Sequence, residues 1–184
     1  MTALLPNPEL RTDRLVLEPL LSEHAERVFG GFEDPRLYGF IPQDPPRAVD
    51  DLSARFRRLS LRRSPAGDAL WLNWVLRRAA GDDHIGLVEA TVRSDRTADL
   101  AYFIFVDFQR RGFAKEACAR VIEHLSGELG VESISATIDT RNAASIALVQ
   151  ALGFRLERTV VGADAFKGSV SDEHVFVLGA GRTR

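Results

Sequence analysis

The chain has 184 residues, 45% of them hydrophobic and 27% charged, with a net charge of −2. These values fit a single soluble globular domain over residues 1–184 and give no overall pull towards nucleic acid or an anionic membrane. No apolar run reaches the roughly 18 residues of a membrane span, Met1–Pro8 lacks the basic leader and apolar core of a secretory signal, and the single cysteine excludes an internal disulfide; a cytoplasmic protein is expected.

A first strand is predicted over Arg14–Leu20, and Ser22 is placed to cap a helix running to about Phe32. Glu33–Pro46, rich in Pro, Asp and Gly, reads as a loop. Asp44-Pro45-Pro46 is expected to open the next helix, with Asp44 as cap and Pro45 at the first helical position. That helix, about Arg47–Arg63, sets Leu52, Phe56 and Leu59 on one face. Its arginines (55, 57, 58, 62 and 63) read either as a patch for nucleic acid or an acidic partner, or as a solvated face that follows the helix dipole, with Asp50 and Asp51 at the opposite end. No interleaved aromatic platform accompanies them and the domain is not basic, which favours the solvated face.

Two strands follow over Ala69–Arg77 and His84–Arg93, joined by a turn at Gly81-Asp82. A turn near Ser94–Arg96 feeds a central strand, about Ala98–Val106, and then a helix from Ala114 to Leu129. In that helix Ala117, Cys118, Val121, Ile122 and Leu125 recur at helical spacing, so Cys118 is expected to be a packed small hydrophobe rather than a nucleophile. Val131–Asp139 is a further strand. Asn142 starts a helix through Leu152, with Ile146, Val149 and Ala151 as buried candidates, and Gly153 ends it. Phe154–Val161 and Glu173–Leu178 are the last predicted strands.

The segment Gln109-Arg-Arg-Gly-Phe-Ala-Lys-Glu-Ala117 joins the central strand to the first turn of the following helix. The first amides of a helix lack internal partners and carry partial positive charge, so this end is a ready anion site. Gly112 and Ala114 keep side chains out of the way of an approaching phosphate. Gly-x-Gly-x-x-Gly and Gly-Lys-Ser/Thr patterns are both absent here. The remaining alternatives are an ordinary strand-to-helix connection and a different phosphate-binding turn.

Gln109-x-x-Gly112-x-Ala114 resembles the Gln/Arg-x-x-Gly-x-Gly/Ala signature of the GNAT (Gcn5-related) N-acetyltransferases. Three further pieces extend the resemblance over nearly the whole chain: Leu10-Arg-Thr-Asp-Arg-Leu-Val-Leu17, Ile85-Gly86, and Asn142-x-x-Ser145 through Gly153-Phe154. Together they look like the RimJ/RimL-like branch, typified by ribosomal-protein N-terminal acetyltransferases. The resemblance implies an α/β (α+β) fold: a mixed, mostly antiparallel twisted sheet with helices on both faces, whose two central strands, here Ala98–Val106 and Val131–Asp139, splay apart. It implies acetyl-CoA as co-substrate and no metal. The pantetheine arm would pair with backbone near Phe105 and Val106. The pyrophosphate would lie over Gln109, Arg110, Arg111, Gly112, Phe113 and Ala114, and Asn142 and Ser145 would face the coenzyme from the other side. Asn142 also reads simply as a helix cap, and Ser145 as a polar first-turn residue.

The implied chemistry moves an acetyl group from a thioester to a neutral primary amine, either a peptide N-terminus or a small molecule. An α-amino group, with a reference pKa of about 7.7–8.0, needs less help from a base than a lysine side chain at about 10.4. The oxyanion wants fixed N–H donors, and an amide near Val106 is the expected source. Many relatives carry a tyrosine four residues before the Gly-Phe turn as proton donor to the thiolate; Val149 stands there. Ser145 inherits that role by resemblance. Glu89 and Asp164 are the candidate bases, Asp107 and Asp139 read as strand-end residues, and a water chain is the other route for the proton. The missing tyrosine also admits a non-catalytic acyl-CoA-binding module, a sensor or partner subunit. The acceptor is expected between Gly31–Arg47 and Ala163–Asp172, both read as loops, and the protein as monomer or homodimer.

Overall fold

The structure is a computed structural model and describes residues 7–179. Eight strands form one mixed sheet in the order β1-β2-β3-β4-β5-β6-β8-β7: β1 (Leu10–Arg11), β2 (Leu15–Pro19), β3 (Ala69–Arg78), β4 (His84–Arg93), β5 (Thr97–Ile104), β6 (Ser133–Asp139), β7 (Arg155–Phe166) and β8 (Ser169–Gly179). All neighbours are antiparallel except β5 and β6. Strand alternation gives the sheet two apolar faces. One packs Leu72, Trp74, Val88 and Leu100 against α3 (Phe113–Gly127) and α4 (Ala143–Ala151). The other packs Val75, Leu87 and Phe105 against α1 (His24–Phe32) and α2 (Val49–Leu59). Trp74, Phe32, Phe56 and Phe176 are fully buried, and burying a large apolar side chain contributes about 1.5–3 kcal/mol.

The expected splay is present. β5 and β6 pair only from Thr97 to Asp99 against Ser133 to Ser135. Beyond that point β5 stays on β4 as far as Ile104 opposite Gly86, while β6 stays on β8 as far as Asp139 opposite Glu173. The sheet therefore opens into two half-sheets. Gly86 permits the close packing at the end of β5: a β-carbon there would meet the Phe103 carbonyl oxygen and sit 3.0 Å from Ile104 Cα.

Several local expectations are corrected. Ser22 does not cap α1; the first amides bond to the carbonyls of Leu21 and Ser22 (both 3.2 Å), so no hydroxyl is needed. Asp44 and Pro45 do not open α2, which begins at Val49 after an extended Ala48; Pro46 disfavours the helical region for Pro45. The Glu33–Pro46 segment holds one 3₁₀ turn, Pro35–Tyr38, capped by the Asp34 carboxylate. Ala151 is exposed, because it lies two residues past the buried Val149 and so on the opposite side of α4. Residues 163–172 are not a loop but the end of a long β7–β8 hairpin with a turn at Lys167-Gly168. The outer strand β7 is largely exposed and interrupted by two bulges, which blunt it as a pairing edge.

Candidate active site

After β5 the chain makes one 3₁₀ turn, Val106–Phe108, and then swings through Gln109–Gly112 into α3. Arg110 (φ +63°) and Gly112 (φ +81°) both take left-handed backbone, free for glycine and costing about 1 kcal/mol or more for arginine. The Gln109 side chain donates to the Ile104 carbonyl at 2.9 Å, which fixes the turn against the strand it leaves. No side chain caps α3, and the first backbone bond runs from Glu116 N–H to the Gly112 carbonyl at 3.1 Å. Among the described residues nothing accepts from the N–H groups of Gly112, Phe113, Ala114 or Lys115. Gly112, Arg110 and Arg111 are exposed. The positive end of a fifteen-residue helix therefore faces solvent with its donors open.

Arg14 stands beside this turn. It donates to the Arg111 carbonyl (3.1 Å) and to Glu116 (2.6 Å), and its guanidinium lies 4.6 Å from the centre of the Phe113 ring. Glu116 also accepts from the Thr12 hydroxyl (2.5 Å) and the Arg14 amide (3.0 Å). Burial works to raise the Glu116 carboxyl; the bonds from Thr12 and Arg14 outweigh it and hold the group below its usual range. The N-terminal segment is thus pinned to the first turn of α3.

At the open end of β5 the main chain divides its roles. Phe105 donates its N–H to the Ile85 carbonyl (2.8 Å) and accepts from Phe108 (2.8 Å), and its ring is buried edge-on against Phe32. Phe105 therefore offers no free N–H for a bound chain to pair with. The Val106 N–H has no acceptor among the described residues, and its carbonyl takes the Gln109 N–H at 3.2 Å. Across the splay, Asn142 caps α4 by accepting from Ser145 N–H at 3.1 Å. The Tyr102 hydroxyl, on the splayed stretch of β5, donates to the Ser145 carbonyl at 3.4 Å. Burial pushes the Tyr102 phenol up to about 12.

The carboxylates separate by environment. Glu89 lies on the α1/α2 face of β4 and pairs with Arg55 at 2.9 Å; burial raises its carboxyl, and Arg55 opposes the rise. Its neighbour across the sheet is Ala101, which is exposed beside the splay. Asp164 is half-buried on β7 and accepts the Ala165 N–H at 2.7 Å. Glu173 is raised by burial first and by the nearby Asp164 and Asp139 next. Asp139 is held by Arg141 (2.5 Å) and Ser171 (2.6 Å), and Arg141 sets its carboxyl well below the usual range, so it anchors the β6–α4 turn. Asp107 is exposed on the 3₁₀ turn. No hydrogen bond links Ser145, Glu89 and Asp164 to one another.

Glu18, His24 and His84 also cluster, with both ring Nε2 atoms on Glu18 Oε2 at 3.3 and 3.2 Å. His24 Nδ1 accepts the Leu21 N–H at 3.0 Å, so the ring's proton is on Nε2 and points at Glu18. That nitrogen has no lone pair for a metal, and the group reads as the Glu18–Arg77 ion pair with the two imidazole rings packed against its carboxylate.

Residues 14–155 match the family model described as acetyltransferase (GNAT) domain. The chain belongs to the GNAT acetyltransferase family. Curated relatives are N-acetyltransferases by name. An uncharacterized one, YoaA of Bacillus subtilis, is 26% identical over 153 residues, covering 82% of this chain and 84% of its own. Another, p20 of Bacillus licheniformis, is 25% identical over 174 residues, covering 92% and 94%. In fold the chain is similar to RimL, a ribosomal L7/L12 α-N-protein acetyltransferase solved with coenzyme A (TM-score 0.83, 14% identity, 93% of this chain and 97% of that one). It is also similar to the microcin C7 self-immunity acetyltransferase MccE solved with acetyl-CoA and AMP (TM-score 0.79, 18% identity, 92% and 94%). At those identities the likeness is one of fold. Among the described residues no helix is long and apolar enough to cross a membrane.

In this GNAT N-acetyltransferase the tyrosine position of α4 is filled by a fully buried Val149. Two residues at the cleft escaped sequence reasoning. Arg14 read only as part of a strand, and its contact with α3 spans about a hundred positions of sequence. Tyr102 read as one more apolar strand residue, although alternation along β5 sends its hydroxyl towards α4.

Proposed function

We propose that this GNAT protein transfers an acetyl group from acetyl-CoA to a primary amine by direct attack, with a place in the RimJ/RimL-like branch and an α-amine, such as a peptide N-terminus, as the favoured acceptor. The observation that carries the reading is the row of open donors from Gly112 to Lys115, set beside the free Val106 N–H at the mouth of the splay. A diphosphate on the first and a thioester on the second would lie along one path. Arg110 and Arg111 add positive charge to the approach.

In this reading the neutral amine attacks the thioester carbon, and the Val106 N–H stabilises the oxyanion. Collapse breaks the carbon–sulfur bond, and the Ser145 hydroxyl protonates the leaving thiolate. Asn142 positions Ser145 through the cap. Glu89 takes the amine proton directly or through water. Its neighbour across the sheet is the exposed Ala101, whereas Asp164, the other candidate base, comes from the outer hairpin. An α-amine needs less help from the Glu89 carboxylate than a lysine side chain does, hence the favoured acceptor.

The test is thiol release from acetyl-CoA with a panel of peptides, polyamines, amino acids and aminoglycosides. Release with α-amines above that with lysine side chains is the expected result. The buried Val149 in place of a phenol favours a second reading, a coenzyme-binding module without turnover. Acetyl-CoA binding with no release from any amine would establish that one.

A further inference from the structure

Lys167 occupies the tip of the β7–β8 hairpin. Lys167 (φ +51°) and Gly168 (φ +79°) both take left-handed backbone, the geometry of a two-residue type I′ turn. Such turns select Asn, Asp or Gly at the first position, and a lysine there is a strained choice. Its ammonium explains the choice. Nζ donates to the carbonyls of Ile41 (3.1 Å), Gln43 (3.1 Å) and Tyr38, which uses all three of its hydrogens. It also lies 5.8 Å from the Tyr38 ring centre and 5.9 Å from that of Phe166.

The two ends of this contact belong to different half-sheets. The hairpin hangs from β6 through β8, and Arg141 ties its tip back to the β6–α4 turn by donating to Ser169 at 3.2 Å while holding Asp139. The 38–43 segment belongs to the α1/α2 layer, which packs on β3 and β4; the Tyr38 hydroxyl is itself bonded to the Phe32 carbonyl at 2.9 Å. Between the two halves lies the splay. On the α3/α4 face the gap is spanned by Tyr102 and Ser145. On the α1/α2 face it is spanned by Lys167.

We propose that Lys167 is a positioning residue: a strut that joins the two half-sheets on the acceptor side and sets the width of the mouth through which the amine enters. The kinetic part of this proposal rests on the transferase reading above. The mechanical part does not.

The test compares the wild type with Lys167→Met. In the free proteins, backbone order parameters from ¹⁵N relaxation are expected to fall together at residues 39–44 and 166–169, from rigid values near ~0.85 to below ~0.6, with α3 unchanged. With a good acceptor, KM for the amine is expected to rise about tenfold while acetyl-CoA affinity by calorimetry stays within about twofold. Aminoethylation of Lys167→Cys restores a side-chain ammonium, and the native Cys118 is fully buried; order parameters and KM are both expected to return. Unchanged order at residues 39–44 overturns the strut. So does a loss of coenzyme affinity in step with acceptor affinity. If the wild type transfers acetyl to no amine, the transferase reading fails, and the relaxation data still decide the strut.

Discussion

Gly31 and Phe105 share one space: a β-carbon on Gly31 would lie within 2.5 Å of carbons of the Phe105 ring. Through this contact α1 fixes the residue just before Val106, whose N–H is the proposed oxyanion donor. Gly31→Ala is expected to destabilise the fold by about 1–3 kcal/mol through overpacking, despite the better helix propensity of alanine. Turnover is expected to fall with it, since the displaced ring moves Val106. Urea midpoints read the first effect. A gain of stability would mean that the ring yields freely and the coupling is absent.

Gly112→Asp is expected to abolish acetyl-CoA binding and leave the protein folded. Its β-carbon would meet only the end of the Arg14 side chain, at 3.4 Å, and aspartate tolerates left-handed backbone at about 1 kcal/mol. The new charge would face the diphosphate. Gly112→Asn, with similar backbone demands and no charge, should bind far better than the aspartate variant. Equal calorimetric affinities for wild type and Gly112→Asp would place the phosphates elsewhere.

Ser145→Ala is expected to lower the rate at saturation by about a hundredfold, the lower range for a lost proton donor, and to leave coenzyme affinity within a factor of about two. The Ser145 amide remains bonded to Asn142 and its carbonyl to Tyr102, so neither tie is cut. Collapse of affinity with a normal saturated rate would make Ser145 a binding residue only.

His24 should give the fold an acid-sensitive component. Burial lowers its pKa from the ordinary 6.5, with Glu18 opposing, so the folded ring stays neutral where the unfolded one takes a proton. The unfolded state then binds more protons, and stability falls as pH drops through about 6.5 towards the lower folded value. Protonation also costs the Leu21 N–H its acceptor on Nδ1. His24→Asn, whose amide oxygen can accept from Leu21, should flatten the slope of stability between pH 7 and 5. An unchanged slope would show that His24 does not titrate in this range.

What the sequence disclosed was local. Helical spacing of Ala117, Val121 and Leu125 located α3, and the strands read on either side of the Gly81-Asp82 turn matched β3 and β4 almost to the residue. The turn after Gln109 was legible because its chemistry resides in consecutive residues. Contacts between distant segments were not legible. Arg55 meets Glu89 across 34 positions, and Lys167 reaches back 124 positions to Gln43. The hairpin end was misread because Gly162, Asp164 and Gly168 break the apolar alternation, while main-chain pairing with β8 holds the strand regardless. Phe105 looked available as part of the central strand, yet the Ile85 carbonyl had already taken its N–H.

The most direct test of the account is an amide NMR titration of the protein with acetyl-CoA. Saturable shifts centred on Gly112, Phe113, Ala114 and Lys115, joined by Val106, are the predicted result. Saturable binding that leaves those five amides unmoved would contradict it.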